Sequence, residues 1–149
     1  MKKKTFVYAT YVRASAERVW QALTSPEFTA QYFHATRVDS TWRVGDPVRY
    51  LMADTNELAV DGEVLVSEAP TRLVISWHVL YNAAASKEPP SRVSFEIEEL
   101  SGQTRLTVTH DQFPDDTVVF DGIQQGWPWI IASLKSLLET GEALPPEAA

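Results

Sequence analysis

From Val38 to about Asp111 the apolar side chains recur at every second position, and a period of two allows only one local geometry. On a pleated strand alternate side chains point to opposite faces, so this long stretch must fold as sheet with one face turned inward. Val48, Tyr50 and Met52 alternate with Arg49 and Leu51. Gly62, Val64 and Val66 alternate with Glu63, Leu65 and Ser67, and Leu73, Ile75, Trp77 and Val79 with Val74, Ser76, His78 and Leu80. Val93, Phe95 and Ile97 follow, then Leu106, Val108 and His110. Turn-forming residues punctuate the runs: Gly45-Asp46-Pro47, Ala53-Asp54-Thr55-Asn56, Ala69-Pro70, Pro89-Pro90 and Ser101-Gly102. Such short connections join antiparallel neighbours, which predicts a meander of about six strands.

The flanks have other periods. Residues 5–13 alternate and carry β-branched and aromatic types, which predicts a first strand. Ser15 can cap a short helix in which Ala16, Val19, Trp20 and Leu23 form an apolar stripe. Ser25-Pro26-Glu27 then opens a second short helix running to about Phe33. Toward the C-terminus Ile123, Trp127, Ile130 or Ile131, Leu134 and Leu138 recur at helical spacing, and Gly141 stands where a helix-ending glycine belongs. Pro128 conflicts with a helix beginning near Asp121. Either the helix starts at Trp127 with the proline in its first turn, or it kinks there, and the kink is preferred. A sheet with one apolar face needs a cover, and the long helix is the one element able to supply it. The fold class expected is α+β. A curled antiparallel sheet of about six to seven strands grips one long C-terminal helix, and two short helices follow the first strand.

Composition narrows the function classes. At 149 residues the chain is expected to form a single domain over 1–149, with 1–4 and 142–149 frayed. Thirteen basic against 20 acidic side chains leave a net charge of −7, which argues against a nucleic-acid partner. There is no cysteine, so disulfides, thiolate metal sites and cysteine nucleophiles are excluded. No apolar run approaches the ~20 residues of a membrane span, and the start shows no signal-peptide pattern, so a cytoplasmic location is expected. The three histidines show no HxH or HExxH spacing, and no phosphate loop, dinucleotide fingerprint or GxSxG elbow occurs. Neither a metal nor a cofactor is expected.

The segments Ala16-Glu17-Arg18-Val19-Trp20-Gln21-Ala22-Leu23, Trp42-Arg43-Val44-Gly45-Asp46, Gly62-Glu63-Val64-Leu65 and Arg72-Leu73-Val74-Ile75-Ser76-Trp77 occur in order along the chain. Gly126-Trp127 and Leu134-Lys135-Ser136-Leu137-Leu138-Glu139 complete the set. Together they resemble the START-like helix-grip superfamily, and within it the activator of heat-shock-protein-ninety ATPase homologue family. The resemblance implies a cavity between the curved sheet and the long helix, of the kind used for lipids, polyketides and other hydrophobic molecules. It also implies a chaperone partner or a stress-response role as one reading, and a monomer or weak homodimer.

The inward register and the expected lids name the cavity candidates: Phe33, Tyr50, Met52, Val64, Trp77, Phe95, Ile97, Val108, His110, Phe113, Trp127 and Ile131. Such a set suits a small hydrophobic or aromatic ligand. His110 is the most informative polar member. It can orient a ligand carbonyl or act as a general acid or base, which makes it the candidate catalytic residue, or it can be a core histidine bonded to a tyrosine or a backbone carbonyl. Asp111 falls on the opposite face, and His78 on the outward register. Three readings follow: non-catalytic binding of a small hydrophobic molecule, a cyclase, aromatase or dehydratase using His110, or a chaperone-directed interaction protein.

Overall fold

A computed structural model describes residues 3–145. Strand β1 (Phe6–Val12) is followed by helices α1 (Ala16–Thr24) and α2 (Pro26–Tyr32). Strands β2 (Thr36–Asp39), β3 (Pro47–Met52), β4 (Leu58–Glu68), β5 (Arg72–Val79), β6 (Ser91–Leu100) and β7 (Gln103–Asp111) come next, then helix α3 (Val118–Thr140). The strands make one antiparallel sheet of seven, in the order β1-β7-β6-β5-β4-β3-β2. It is the expected meander with the first strand added beside the last, curled into a half-barrel around α3. The turn between β6 and β7 is the tightest: Leu100 pairs with Gln103, and Ser101 and Gly102 both take positive φ. That conformation matches the twist of a two-residue hairpin.

Local chemistry explains the short helices. Ser15 Oγ accepts from Arg18 N at 3.2 Å and caps α1, while Glu99 Oε1 on β6 accepts from Ala16 N at 2.7 Å. Ser25 occupies the N-cap of α2, but its side chain makes no capping bond, and Pro26 supplies the helical φ instead.

The strict alternation breaks twice along β4. Pairing with β3 shifts register between Tyr50 and Leu51, and pairing with β5 shifts between Val64 and Val66. The second shift places Val66 opposite Val74, so Val66 does not continue the row of Gly62 and Val64 as the period of two had suggested. Between the shifts lies a position only glycine can fill, since a Cβ on Gly62 would sit 1.9 Å from the Ser76 carbonyl oxygen.

Helix α3 begins at Val118, ahead of the expected Asp121, and runs unbroken through Pro128. The start is set by a group far along the chain. Glu88 Oε1 accepts from the Thr117 hydroxyl at 2.7 Å, and Glu88 Oε2 accepts from the amides of Val118 and Val119 at 2.7 and 3.3 Å. Thr117 Oγ1 in turn accepts from Phe120 N. A carboxylate on the first amides of a helix satisfies free donors and opposes the helix dipole. Gly141, at φ 88°, ends the helix. Of the ends expected to fray, residues 1, 2 and 146–149 lie outside the described residues, and Leu144 N donates to Ser133 Oγ at 3.1 Å. Among the described residues no helix is long and apolar enough to cross a membrane.

Candidate functional site

The two halves of α3 meet the sheet differently. In the C-terminal half Ile131, Leu134 and Leu137 fill the grip with branched side chains, and Leu134 is 0% exposed. In the N-terminal half Gly122 and Gly126 stand one turn apart and contribute none. There a cavity of about 490 Å³ remains between the helix and the sheet. Its floor is Tyr50 and Met52 of β3, Ala59 and Val60 of β4, and Trp77 and Val79 of β5. Phe33, His34 and Thr36 close one side. Tyr81, Asn82 and Ala85, in the connection from β5 to β6, face Val118, Val119, Gly122, Ile123, Gly126, Trp127 and Ile130 on α3.

Of the residues expected to form the site, Phe33, Tyr50, Met52, Trp77 and Trp127 line this cavity. Val64, Phe95, Ile97, Val108, Phe113 and Ile131 do not line it and lie in the apolar core, and His110 is likewise buried away from it. Trp127 covers part of this set, packing edge-on against Phe95 at 5.8 Å between ring centroids and bonding His110, and beyond it Ile131, Leu134 and Leu137 fill the grip. The inward face of the sheet was legible, but which part of that face stays uncovered depends on the helix opposite. The connection bearing Tyr81 and Asn82 went unseen because it has no periodicity. The glycines at 122 and 126 were the available signal, since two glycines four apart weaken a helix interior without serving its ends.

The cavity wall is aromatic. Phe33 lies 5.0 Å from Tyr50, 6.1 Å from Trp77 and, edge-on, 5.6 Å from Trp127, measured between ring centroids. Tyr50 and Trp77 are 5.2 Å apart, and Trp77 and Trp127 5.4 Å. At the rim the exposed His34 stacks on Trp129 at 5.1 Å. Among the described residues no aspartate, glutamate, lysine or arginine lines the cavity.

His110 points inward, as its register required, and is 0% exposed, but its ring is spoken for. The Trp127 indole N–H, which can only donate, gives its hydrogen to His110 Nδ1 at 3.0 Å. The ring proton therefore sits on Nε2, which donates to Ser91 Oγ at 2.7 Å, and the serine hydroxyl passes a hydrogen to the Trp77 carbonyl at 3.3 Å. Burial pushes the imidazole pKa down to about 3, against a smaller upward pull from Asp111. His110 is thus a neutral ring of fixed tautomer that orients Trp127, the cavity's back wall. Its partners are a tryptophan and a serine, in place of the tyrosine or carbonyl expected. Asp111 lies on the other face, paired with Arg92 at 2.8 Å. His78, expected on the outward register, is half-buried: its Nε2 donates to the Ser86 carbonyl at 2.8 Å, and its Nδ1 is 3.5 Å from Asp61. Among the described residues no group of three or more histidines and carboxylates is placed to hold a metal ion.

Comparison with known proteins places this arrangement in context. The sequence profile of the family described as activator of Hsp90 ATPase homolog 1-like protein matches residues 13–139. No curated protein sequence matches the chain. Among solved structures, protein MLL2253 from Mesorhizobium loti is 25% identical, with a TM-score of 0.77 over 91% of this chain and 97% of that one. DynU16, a protein of the dynemicin biosynthetic locus, is 26% identical, with a TM-score of 0.75 over 93% of this chain but 48% of its own. The Aha1 dimer from Colwellia psychrerythraea, at 18% identity, shares the fold with a TM-score of 0.75 over 94% of this chain and 99% of that one.

Proposed function

The chain belongs to the family of activator of Hsp90 ATPase homolog 1-like proteins, and from that membership we propose that it is a binding module which holds a small hydrophobic or aromatic molecule between its sheet and α3. The open cavity that Gly126 lines carries this reading. A glycine in a helix interior costs roughly 1 kcal/mol relative to alanine. Gly126 is half-buried on the cavity wall and a Cβ there would meet nothing within 4 Å, so close packing does not account for it, whereas an unobstructed cavity does. Gly122 is exposed, and the space around it is shared with solvent. The volume of about 490 Å³ lies within the range of small-molecule sites, and the wall is mostly apolar. His110 gives the acid/base alternative no support, because both ring nitrogens are engaged within the protein and the ring is neutral at physiological pH.

The test is calorimetric titration with 2-ethylnaphthalene, a neutral apolar probe. The native protein is expected to bind it, and Gly126→Leu, whose side chain enters open space, is expected to melt no lower than the native protein while losing at least about tenfold in affinity. Undiminished binding by this variant, or no binding by the native protein, would contradict the reading.

A further inference from the structure

The cavity's few polar atoms narrow the class of molecule it can hold, an inference that rests on the binding reading above. Tyr50 is 2% exposed and Trp77 is 6% exposed, and both line the cavity. Among the described residues neither the Tyr50 hydroxyl nor the Trp77 indole N–H has a hydrogen-bond partner. Yet among the described residues no sealed side-chain nitrogen or oxygen lacks one, so neither atom is sealed, and the cavity is the open space their residues line. The other buried polar groups nearby are satisfied within the protein. Trp127 Nε1 donates to His110, the Thr36 hydroxyl donates to the Phe33 carbonyl at 2.6 Å, and the Tyr32 hydroxyl donates to the Ala22 carbonyl at 2.8 Å. The contrast separates groups that complete the fold from groups left for something else.

An unmet donor in an apolar enclosure is costly, so a ligand offering an acceptor gains from meeting it. Burial raises the Tyr50 pKa well above the usual tyrosine value, which keeps the phenol protonated and able to donate. The indole N–H can only donate. Among the described residues no lysine or arginine lines the wall, and the one histidine there, His34, sits exposed at the rim, so a carboxylate or phosphate deep among the rings would leave water without a fixed counter-charge. The four rings of Phe33, Tyr50, Trp77 and Trp127 offer faces and edges to a flat π-system.

We propose that the ligand is a neutral, flat aromatic molecule bearing a carbonyl-type oxygen, bound among these rings with that oxygen accepting from the Tyr50 hydroxyl. Three probes of like shape test it by calorimetry on the native protein and on Tyr50→Phe: 2-acetylnaphthalene, the acceptor-free 2-ethylnaphthalene and the anionic 2-naphthoate. Tyr50→Phe is expected to weaken the ketone roughly three- to tenfold, the worth of one hydrogen bond, and to bind 2-ethylnaphthalene at least as tightly as the native protein, because the hydrocarbon no longer strands an unmet donor. Retained hydrocarbon binding also shows that the variant is folded. The naphthoate is expected to bind the native protein at least tenfold more weakly than the ketone. If Tyr50→Phe weakens both neutral probes alike or neither, or if the naphthoate matches the ketone, the inference is overturned while the apolar cavity stands. If none of the three binds the native protein, the cavity reading falls with it.

Discussion

His110 shows how one side chain can be fully buried, polar and still serve the fold. The Trp127 indole fixes its tautomer, Ser91 Oγ accepts the hydrogen bond from its Nε2–H, and the ring stays neutral because burial opposes charge. Its folded pKa of about 3 lies below the ordinary value of 6.5, so the unfolded chain takes up this proton first as the solution is acidified. The stability that neutral His110 confers is whole above pH 6.5 and drains as the pH falls from there toward 3. Urea unfolding at pH 7 and pH 5 should therefore show the native protein losing about 2 kcal/mol more over that interval than His110→Gln. The other histidines, His34 and His78, are common to both proteins and cancel in the comparison. Parallel losses would mean that the ring is charged or hydrated in the fold.

At the scale of the element, α3 is the part whose sequence most directly shapes the site. Its apolar stripe was legible from the 3.6-residue spacing, and so was its end at Gly141. Its beginning was not, because the capping carboxylate of Glu88 sits on a different segment and leaves no trace in the local pattern. The same limit applies to β4, where bulges shift the register that a period of two assumes. The contrast between the halves of α3 can be measured. Leu134 is 0% exposed in the packed half, and Leu134→Ala should cost about 2–5 kcal/mol through lost burial and a new cavity. Ile130 lines a space that is already open, so Ile130→Ala should cost less than Leu134→Ala, because the cavity contribution is largely absent. Equal losses in urea unfolding would mean that the helix face over the cavity is as tightly packed as the face at Leu134.

At the scale of the whole molecule, the α+β grip followed from two periodicities and one covering argument, and the strand order agrees with it. The site was only half legible. Tyr50, Trp77 and Trp127 were found because their register points inward, whereas Val60, Tyr81, Val119 and Ile130 were missed because they meet only when separate elements converge. A cavity belongs to the space between elements, and no single pattern along the chain records it. An apolar molecule is expected to enter this fold under the N-terminal half of α3. Backbone amide chemical shifts followed during titration with 2-acetylnaphthalene test it most directly. Shifts are expected to concentrate at Met52, Val60, Tyr81, Asn82, Val119, Gly122 and Gly126, with the outer face around Val7 and Tyr11 unmoved. Shifts centred on Val7 and Tyr11, or no saturable shifts at all, would contradict it.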